Sequence, residues 1–100
     1  MDPALHSGDP GRQAEVIIER IGAALQQLGS GLKDVVETRV YLTDTSHWQA
    51  VGHAHGKAFA RTRPATTMVQ VGPLVSPEFL VEISAIAVAE RDAEEHDVSS

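Results

Sequence analysis

The sequence predicts an α+β fold of two helices and three strands, in the order α-β-α-β-β. Two segments carry apolar residues at helical spacing, two alternate between apolar and polar residues, and the last is almost continuously apolar. One hundred residues can form one hydrophobic core but not two, and 42% hydrophobic with 22% charged residues is typical of a globular protein. We therefore expect one domain over residues 1–89, followed by a tail over residues 90–100.

The first helix is predicted between an aspartate cap and a glycine stop. Asp9 is a typical N-cap residue, and Pro10 suits the first helical position because its missing N–H would have no partner there. Gly29 can adopt the left-handed conformation that ends many helices. The apolar stripe between them comprises Ala14, Ile17, Ile18, Ile21, Leu25 and Leu28.

A strand and a second helix follow. The run VVETRVYL alternates, and its drier face comprises Val36, Thr38, Val40 and Leu42. Ser46 and Gln49 match a capping box at the start of the second helix. The apolar stripe of that helix comprises Trp48, Val51, Gly52, His55 and Phe59. Gly52 and Gly56 are expected to let the helix lie close to the sheet.

The last two strands are predicted in RPATTMVQV and FLVEISAIAVA. Pro64 favours a strand that begins just after it, with Thr66, Met68 and Gln70 on one face. The final strand has one fully apolar face, made of Val81, Ile83, Ala85 and Ala87. Residues 90–100 have little apolar content and are predicted to be disordered. Five acids and one arginine lie between Glu90 and Asp97, so most of the formal charge of −6 belongs to this tail.

Glu82 is the main candidate for chemistry, because a carboxylate in so apolar a strand costs several kcal/mol if it is buried without a partner. Arg39 is the natural cross-strand partner and Arg63 is a second one. Two interpretations stay open: a structural ion pair between Glu82 and Arg39, or a pocket carboxylate that orients a substrate or a water. Ser84 and Ser46 carry hydroxyl groups, but neither has a base nearby in the sequence.

Several classes of function are excluded by composition and spacing. His53 and His55 lie two residues apart on a predicted helix, so they diverge by about 200° and cannot share a metal ion; His55 is expected to be packed and hydrogen-bonded. The absence of cysteine excludes disulfides and thiolate sites. Neither a basic stripe nor a run of about 20 apolar residues is present, so neither nucleic acid nor a membrane is an expected partner. The default location is the cytoplasm.

Three stretches resemble the RidA/YjgF family of reactive-intermediate deaminases: DVVETRVYLTD, RPA with VQV, and VEISAIA. The resemblance runs from about Gln13 to Ala89. It implies a chorismate-mutase-like sheet backed by two helices on one face, and a homotrimer with small-molecule clefts between subunits. It also implies hydrolysis of enamine or imine intermediates to ammonia and a 2-keto acid, without metal or cofactor. Thr66 and Glu82 are then expected near one cleft, with Glu82 matching the family's glutamate.

The chain departs from the family pattern at the substrate anchor. Family members that are active deaminases have an arginine that binds the substrate carboxylate at the position of Thr66 in this chain. A threonine cannot form the paired, charge-assisted hydrogen bonds that an arginine makes to a carboxylate. The family commonly has asparagine and tyrosine where this chain has Gly52 and His55. Only Met1 to Gly8 precede the first helix, where the family normally has a strand hairpin; either the true start lies upstream or this is a shortened member.

Four hypotheses follow from the resemblance and its departures. The first is a member of the arginine-lacking branch that binds a small polar metabolite through Thr66, Arg63, Arg39 and Ser84 and hydrolyses it with Glu82. The second is a true imine deaminase in which Arg63 or Arg39 replaces the anion clamp. The third is a non-enzymatic trimeric binding module. The fourth, an RNA-cleaving or translation-inhibiting protein, is disfavoured by a nearly neutral domain with few aromatic residues.

Overall fold

The computed structural model describes residues 6–89 and 94–99. Its helices and strands are α1 (Pro10–Gln27), β1 (Val35–Leu42), α2 (Trp48–Ala58), β2 (Ala65–Gln70), β3 (Val81–Ala89) and β4 (Glu94–Ser99). The strand order in the sheet is β2-β1-β3-β4. Strand β2 runs parallel to β1, whereas β3 is antiparallel to both β1 and β4. No helix within these residues is long and apolar enough to span a membrane.

Both helices pack on one face of the sheet, which confirms the α+β fold and its layering. The predicted apolar face of β3 is buried throughout, with no more than 2% of any of its four side chains exposed. These side chains meet the apolar stripe of α1 and the inward face of β1. The buried hydrophobic core comprises Ala14, Ile17, Ile18, Ile21, Leu25, Val35, Val40, Leu42, Val51, Ala54, Phe59, Val81, Ile83, Ala85 and Ala87.

Helix α1 begins and ends as its sequence predicts. The side chain of Asp9 accepts a hydrogen bond from the backbone N–H of Arg12 at 3.0 Å. Gly29 has a φ of +79°, the left-handed conformation expected of a glycine after a helix. The N–H of Ser30 then donates to the carbonyl of Leu25 at 2.8 Å, which satisfies one of the last carbonyl groups of the helix.

The predicted cap of α2 is wrong. Asp44, not Ser46, supplies the side-chain acceptor, and it receives the backbone N–H of Ser46 at 2.8 Å. This bond caps a short 3₁₀ turn, Thr45–His47, and α2 continues from that turn at Trp48. The chain thus uses an aspartate two residues earlier because the 3₁₀ turn displaces the start of the α-helix.

Two packing predictions, one for α2 and one for β1, are also wrong. A methyl group added at Gly52 or Gly56 would meet no atom within 4 Å, so neither glycine is needed for a close approach to the sheet. Val36 is 50% exposed although strand alternation places it inward. The cause is an irregularity in the β1–β3 register between Val35 and Glu37, which turns Val35 into the core instead.

Strand β4 corrects the prediction for the tail. Residues 94–99 pair with β3 in antiparallel register from Ser84–Ser99 to Ala89–Glu94, instead of being disordered. Val98 lies against the core and is partly buried. The predicted disorder of residues 90–93 and 100 falls outside the described residues. Because β4 covers the edge of β3, the described sheet has four strands instead of the predicted three.

Gln13 connects α1 to the loop between β2 and β3. Its side chain is fully buried, and its amide nitrogen donates to the carbonyl groups of His6 and Glu78 at 3.1 and 2.7 Å. Its amide oxygen accepts the N–H of Leu80 at 2.9 Å. One side chain therefore holds three backbone groups, two of them at the entrance to β3.

Candidate functional site

A chain of side-chain hydrogen bonds joins β1, β2 and α2 on the helix-covered face of the sheet. Thr38 is fully buried, and its hydroxyl lies 2.8 Å from Nε2 of His55. The same hydroxyl lies 2.9 Å from that of Thr66, its register partner on β2. Thr66 in turn donates to the carbonyl of Pro64 at 3.1 Å. The parallel pairing of β1 and β2 thus brings together residues from three elements.

His55 is packed and hydrogen-bonded, as predicted. Its ring lies 4.7 Å from that of Phe59, centroid to centroid, at an interplanar angle of 43°. Burial lowers the pKa of His55 below its usual 6.5, because desolvation disfavours the charged imidazolium. The ring is therefore neutral near pH 7, and a neutral imidazole has one donor nitrogen and one acceptor nitrogen.

A cleft of about 410 Å³ opens beside this hydrogen-bonded chain. It is lined by His55, Gly56, Phe59, Ala60, Arg63, Pro64 and Thr66. Arg63 has a φ of +46°, and its N–H donates to the carbonyl of Phe59 at 2.9 Å, just beyond the end of α2. Positive φ costs a non-glycine residue roughly 1–2 kcal/mol, and such strain is often found at binding sites.

Glu82, Ser84 and Arg39 lie on the opposite, open face of the sheet. Glu82 pairs in register with Tyr41, and Ser84 with Arg39. The carboxylate of Glu82 accepts the backbone N–H of Ile83 at 2.9 Å. Arg39 forms its ion pair with Glu37 at 3.2 Å, so of the two open interpretations the Glu82–Arg39 ion pair is not formed within the described residues. Arg39 lies opposite Ser84 on β3, and its side chain reaches Glu37, two residues earlier on its own strand.

Thr66 and Glu82 therefore lie on opposite faces of the sheet within one chain. Because the resemblance places its clefts between subunits, their position near one cleft stays a prediction. Thr66 faces the helices together with Thr38, whereas Glu82 faces the open side together with Tyr41. The reason is the pleat, because neighbouring residues of a strand point to opposite faces and register partners point to the same one. The candidate residues divide into a cleft group, Thr66 and Arg63, and an open-face group, Glu82, Ser84 and Arg39.

Thr38 and His55 were not among the candidate site residues. A signal for Thr38 was present, since a hydroxyl on the drier face of a buried strand needs a hydrogen-bond partner. Its partners, however, are 17 and 28 residues away in the chain, and no local pattern identifies them. Within the described ranges, no group of three His, Cys, Asp or Glu residues could hold a metal ion.

Comparison with known proteins relates this arrangement to a family. Residues 1–89 match the family described as endoribonuclease L-PSP. RutC, a 3-aminoacrylate deaminase of Acinetobacter baylyi, is 36% identical over 83 residues, which are 83% of this chain and 65% of that protein. This chain thus spans less than two thirds of the deaminase's length.

Solved structures from several organisms share the fold. A YjgF/YER057c/UK114 family member from Mycobacterium tuberculosis is 52% identical, with a TM-score of 0.68 over 69% of this chain and 58% of that one. A Pseudomonas aeruginosa protein of unknown function is 38% identical, with a TM-score of 0.70 over 74% and 54%. At these identities the likeness extends beyond the fold to the sequence that forms it.

Proposed function

Because the chain belongs to the endoribonuclease L-PSP family, also known as RidA/YjgF, we propose that it hydrolyses a small enamine or imine acid. One structural observation carries the proposal: Glu82 is a partly buried carboxylate in the largely apolar strand β3, and it faces the open side of the sheet. The identity to a 3-aminoacrylate deaminase supports this substrate class.

The proposed reaction consumes one water and needs no oxidant or reductant. An enamine acid becomes an imine when its carbon is protonated. Water then adds to the imine carbon of the protonated imine and loses a proton, which gives a carbinolamine. When the amine nitrogen takes up a proton and the C–N bond breaks, ammonia leaves and the hydroxyl becomes a carbonyl. The products are ammonia and an oxo acid.

Glu82 is proposed to position the water and to accept its proton. The N–H of Ile83 orients its carboxylate, and a fixed carboxylate near the reacting carbon is a suitable general base. Ser84 and Arg39, which lie side by side on the same face, are proposed to bind the polar end of the substrate. Thr66 and Arg63 are proposed to bind substrate from the helix-side cleft.

We further propose that copies of the chain meet through their open sheet faces as a homotrimer. The open face carries apolar side chains that one chain leaves accessible, including Val69 and Val88, which are 40% and 38% exposed. A neighbouring copy that covered this face would bury these side chains and exclude water around Glu82. The metabolite cleft would then lie between subunits.

The second candidate function is a non-enzymatic binding module. Thr66 favours it, because a neutral hydroxyl stands where the active branch has its carboxylate-binding arginine. RNA cleavage has less support, since the chain carries a net charge of −6 and only 4% aromatic residues.

The test is release of ammonia and oxo acid from enzymatically generated 3-aminoacrylate and 2-iminopropanoate. We expect turnover by the wild type and a loss of about 10²-fold or more in Glu82→Gln, which keeps the shape but not the base. Glu19→Gln is the matched control, because Glu19 is an exposed carboxylate on α1. Its rate should equal that of the wild type.

Three outcomes would contradict the proposal in different ways. Turnover that survives Glu82→Gln would remove Glu82 from the mechanism. No turnover by the wild type, combined with activity in Thr66→Arg, would mean that the cleft is specific for another ligand. No turnover by any variant would favour the binding module.

A further inference from the structure

The hydrogen-bonded chain at Thr38 determines which nitrogen of His55 carries the proton. Thr66 donates its only hydroxyl proton to the carbonyl of Pro64, which can only accept. Thr66 must therefore accept from Thr38. Thr38 has then used its own proton, so the 2.8 Å bond to His55 requires the histidine to donate from Nε2.

The consequence is an acceptor at the second ring nitrogen. A neutral imidazole protonated on Nε2 carries its lone pair on Nδ1. Nδ1 makes no hydrogen bond with residues 6–89 or 94–99, and His55 lines the 410 Å³ cleft. Burial, which lowers the pKa of His55, preserves the neutral form near pH 7.

The charge of the cleft limits what can bind there. Arg63 is the charged residue among its seven lining residues, and no lining residue is acidic. The other lining side chains are apolar, apart from His55 and the Thr66 hydroxyl, whose proton is used by Pro64. An anion is therefore favoured and an ammonium group is disfavoured. The strained backbone of Arg63 places this cation at the cleft.

We propose that this cleft binds a small carboxylate that also carries a neutral O–H or N–H donor. Arg63 binds the carboxylate by charge-assisted hydrogen bonds, and Nδ1 of His55 accepts the donor. The ligand class comprises small hydroxy acids and enamine acids. The site lies on the helix side of the sheet and does not include Glu82. It rests on the part of the proposed function that assigns substrate binding to Thr66 and Arg63.

The test uses L-lactate as the probe and propanoate as its counterpart without the hydroxyl. Long-range proton–nitrogen NMR of the histidine rings in ¹⁵N-labelled protein reports which nitrogen of His55 is protonated and whether Nδ1 shifts on binding. Titrations run to about 50 mM, which saturates a site with a dissociation constant of a few millimolar. We expect His55 in the Nε2–H form, a saturable shift of Nδ1 with lactate, and roughly tenfold weaker binding of propanoate.

Two arginine variants separate a specific contact from general charge. Arg63→Asn removes the cation while asparagine tolerates positive φ, so it should weaken lactate binding by about 10- to 100-fold without unfolding the chain. Arg61→Asn removes an exposed arginine two residues away, which is not among the residues lining the cleft, and should leave binding unchanged.

Three results would overturn the proposal: resting His55 protonated on Nδ1, no saturable shift with lactate, or equal binding by Arg63→Asn and wild type. Glu82→Gln should bind lactate as the wild type does. If that variant loses deamination but keeps lactate binding, both proposals stand. If lactate does not bind while deamination depends on Glu82, only this proposal fails.

Discussion

Gln13 and Thr38 are the two buried polar side chains among the described residues, and each is 0% exposed. The bonds of Gln13 all end on backbone groups, at His6, Glu78 and Leu80. Those of Thr38 go to two other side chains, one of which lines a cleft. Both satisfy the rule that a buried polar group needs partners, but they do so in different settings.

The difference shows how to separate a structural polar group from a functional one. The network of Gln13 is closed, since its amide oxygen and nitrogen are used to hold a loop against α1. The row of hydrogen bonds at Thr38 continues to His55, whose second ring nitrogen, Nδ1, is proposed to accept a hydrogen bond from a ligand. A closed network predicts loss of stability when it is broken, and an open one predicts loss of binding as well.

The largest effect is expected from Gln13→Leu, a change of similar volume. It leaves the N–H of Leu80 and the carbonyl of Glu78 without their partner, which should lower the free energy of unfolding by about 2–4 kcal/mol. Urea unfolding measures this change in the free energy of unfolding. Gln26→Leu is the control, because Gln26 is exposed on the same helix and should change stability by about 0.5 kcal/mol or less. Equal effects of the two variants would disprove the role of Gln13.

A smaller stability effect, with an added loss of binding, is expected from Thr38→Val. Removing the hydroxyl takes a partner from both His55 and Thr66, so the free energy of unfolding should fall by about 1–2 kcal/mol. Thr67→Val, on the other face of β2, is the control and should be neutral within about 0.5 kcal/mol. If His55 kept its Nε2–H form in NMR spectra of Thr38→Val, the hydrogen bonds of Thr38 would not determine the tautomer of His55.

The smallest effect is the pH dependence contributed by His55. Its pKa in the folded protein lies below the ordinary 6.5, so the unfolded chain binds its proton more readily. This stabilising contribution is complete above pH 6.5 and is lost as the pH falls from there through the folded pKa. Arg63 is the charged residue that lines the same cleft.

The measurement compares urea unfolding of wild type and His55→Gln between about pH 5 and 8. The difference between the two curves cancels the contributions of the other titrating groups. The wild type should lose more stability on acidification than the variant does. Parallel curves would show that His55 has an ordinary pKa in the folded protein.

Much of the fold could be predicted because it depends on local patterns. Helical spacing identified the apolar stripe of α1, and Asp9 and Gly29 marked its ends. Strand alternation identified the buried face of β3. Strand β4 was missed because its pairing with β3 uses backbone hydrogen bonds, which polar residues can make as well as apolar ones.

The candidate site was predicted less well, because it depends on which strands are neighbours. One of the two interpretations of Glu82 paired it with Arg39, but the β1–β3 register places Ser84 opposite Arg39. Pairing with Thr38 turns Thr66 to the helix side of its own chain, whereas Glu82 lies on the open side. A one-residue shift of the β1–β2 register would have turned Thr66 to the open face, and a two-residue shift of the β1–β3 register would have placed Glu82 opposite Arg39.

By itself, the sequence of this chain determined the identity and order of its helices and first three strands and the apolar faces of α1 and β3, since helical and strand periodicity act over a few residues. Only the tertiary structure decided that Thr38, His55 and Thr66 would meet, and that Glu82 would lie on the other face. Those outcomes depend on strand order, direction and register, which arise from contacts between residues far apart in the chain.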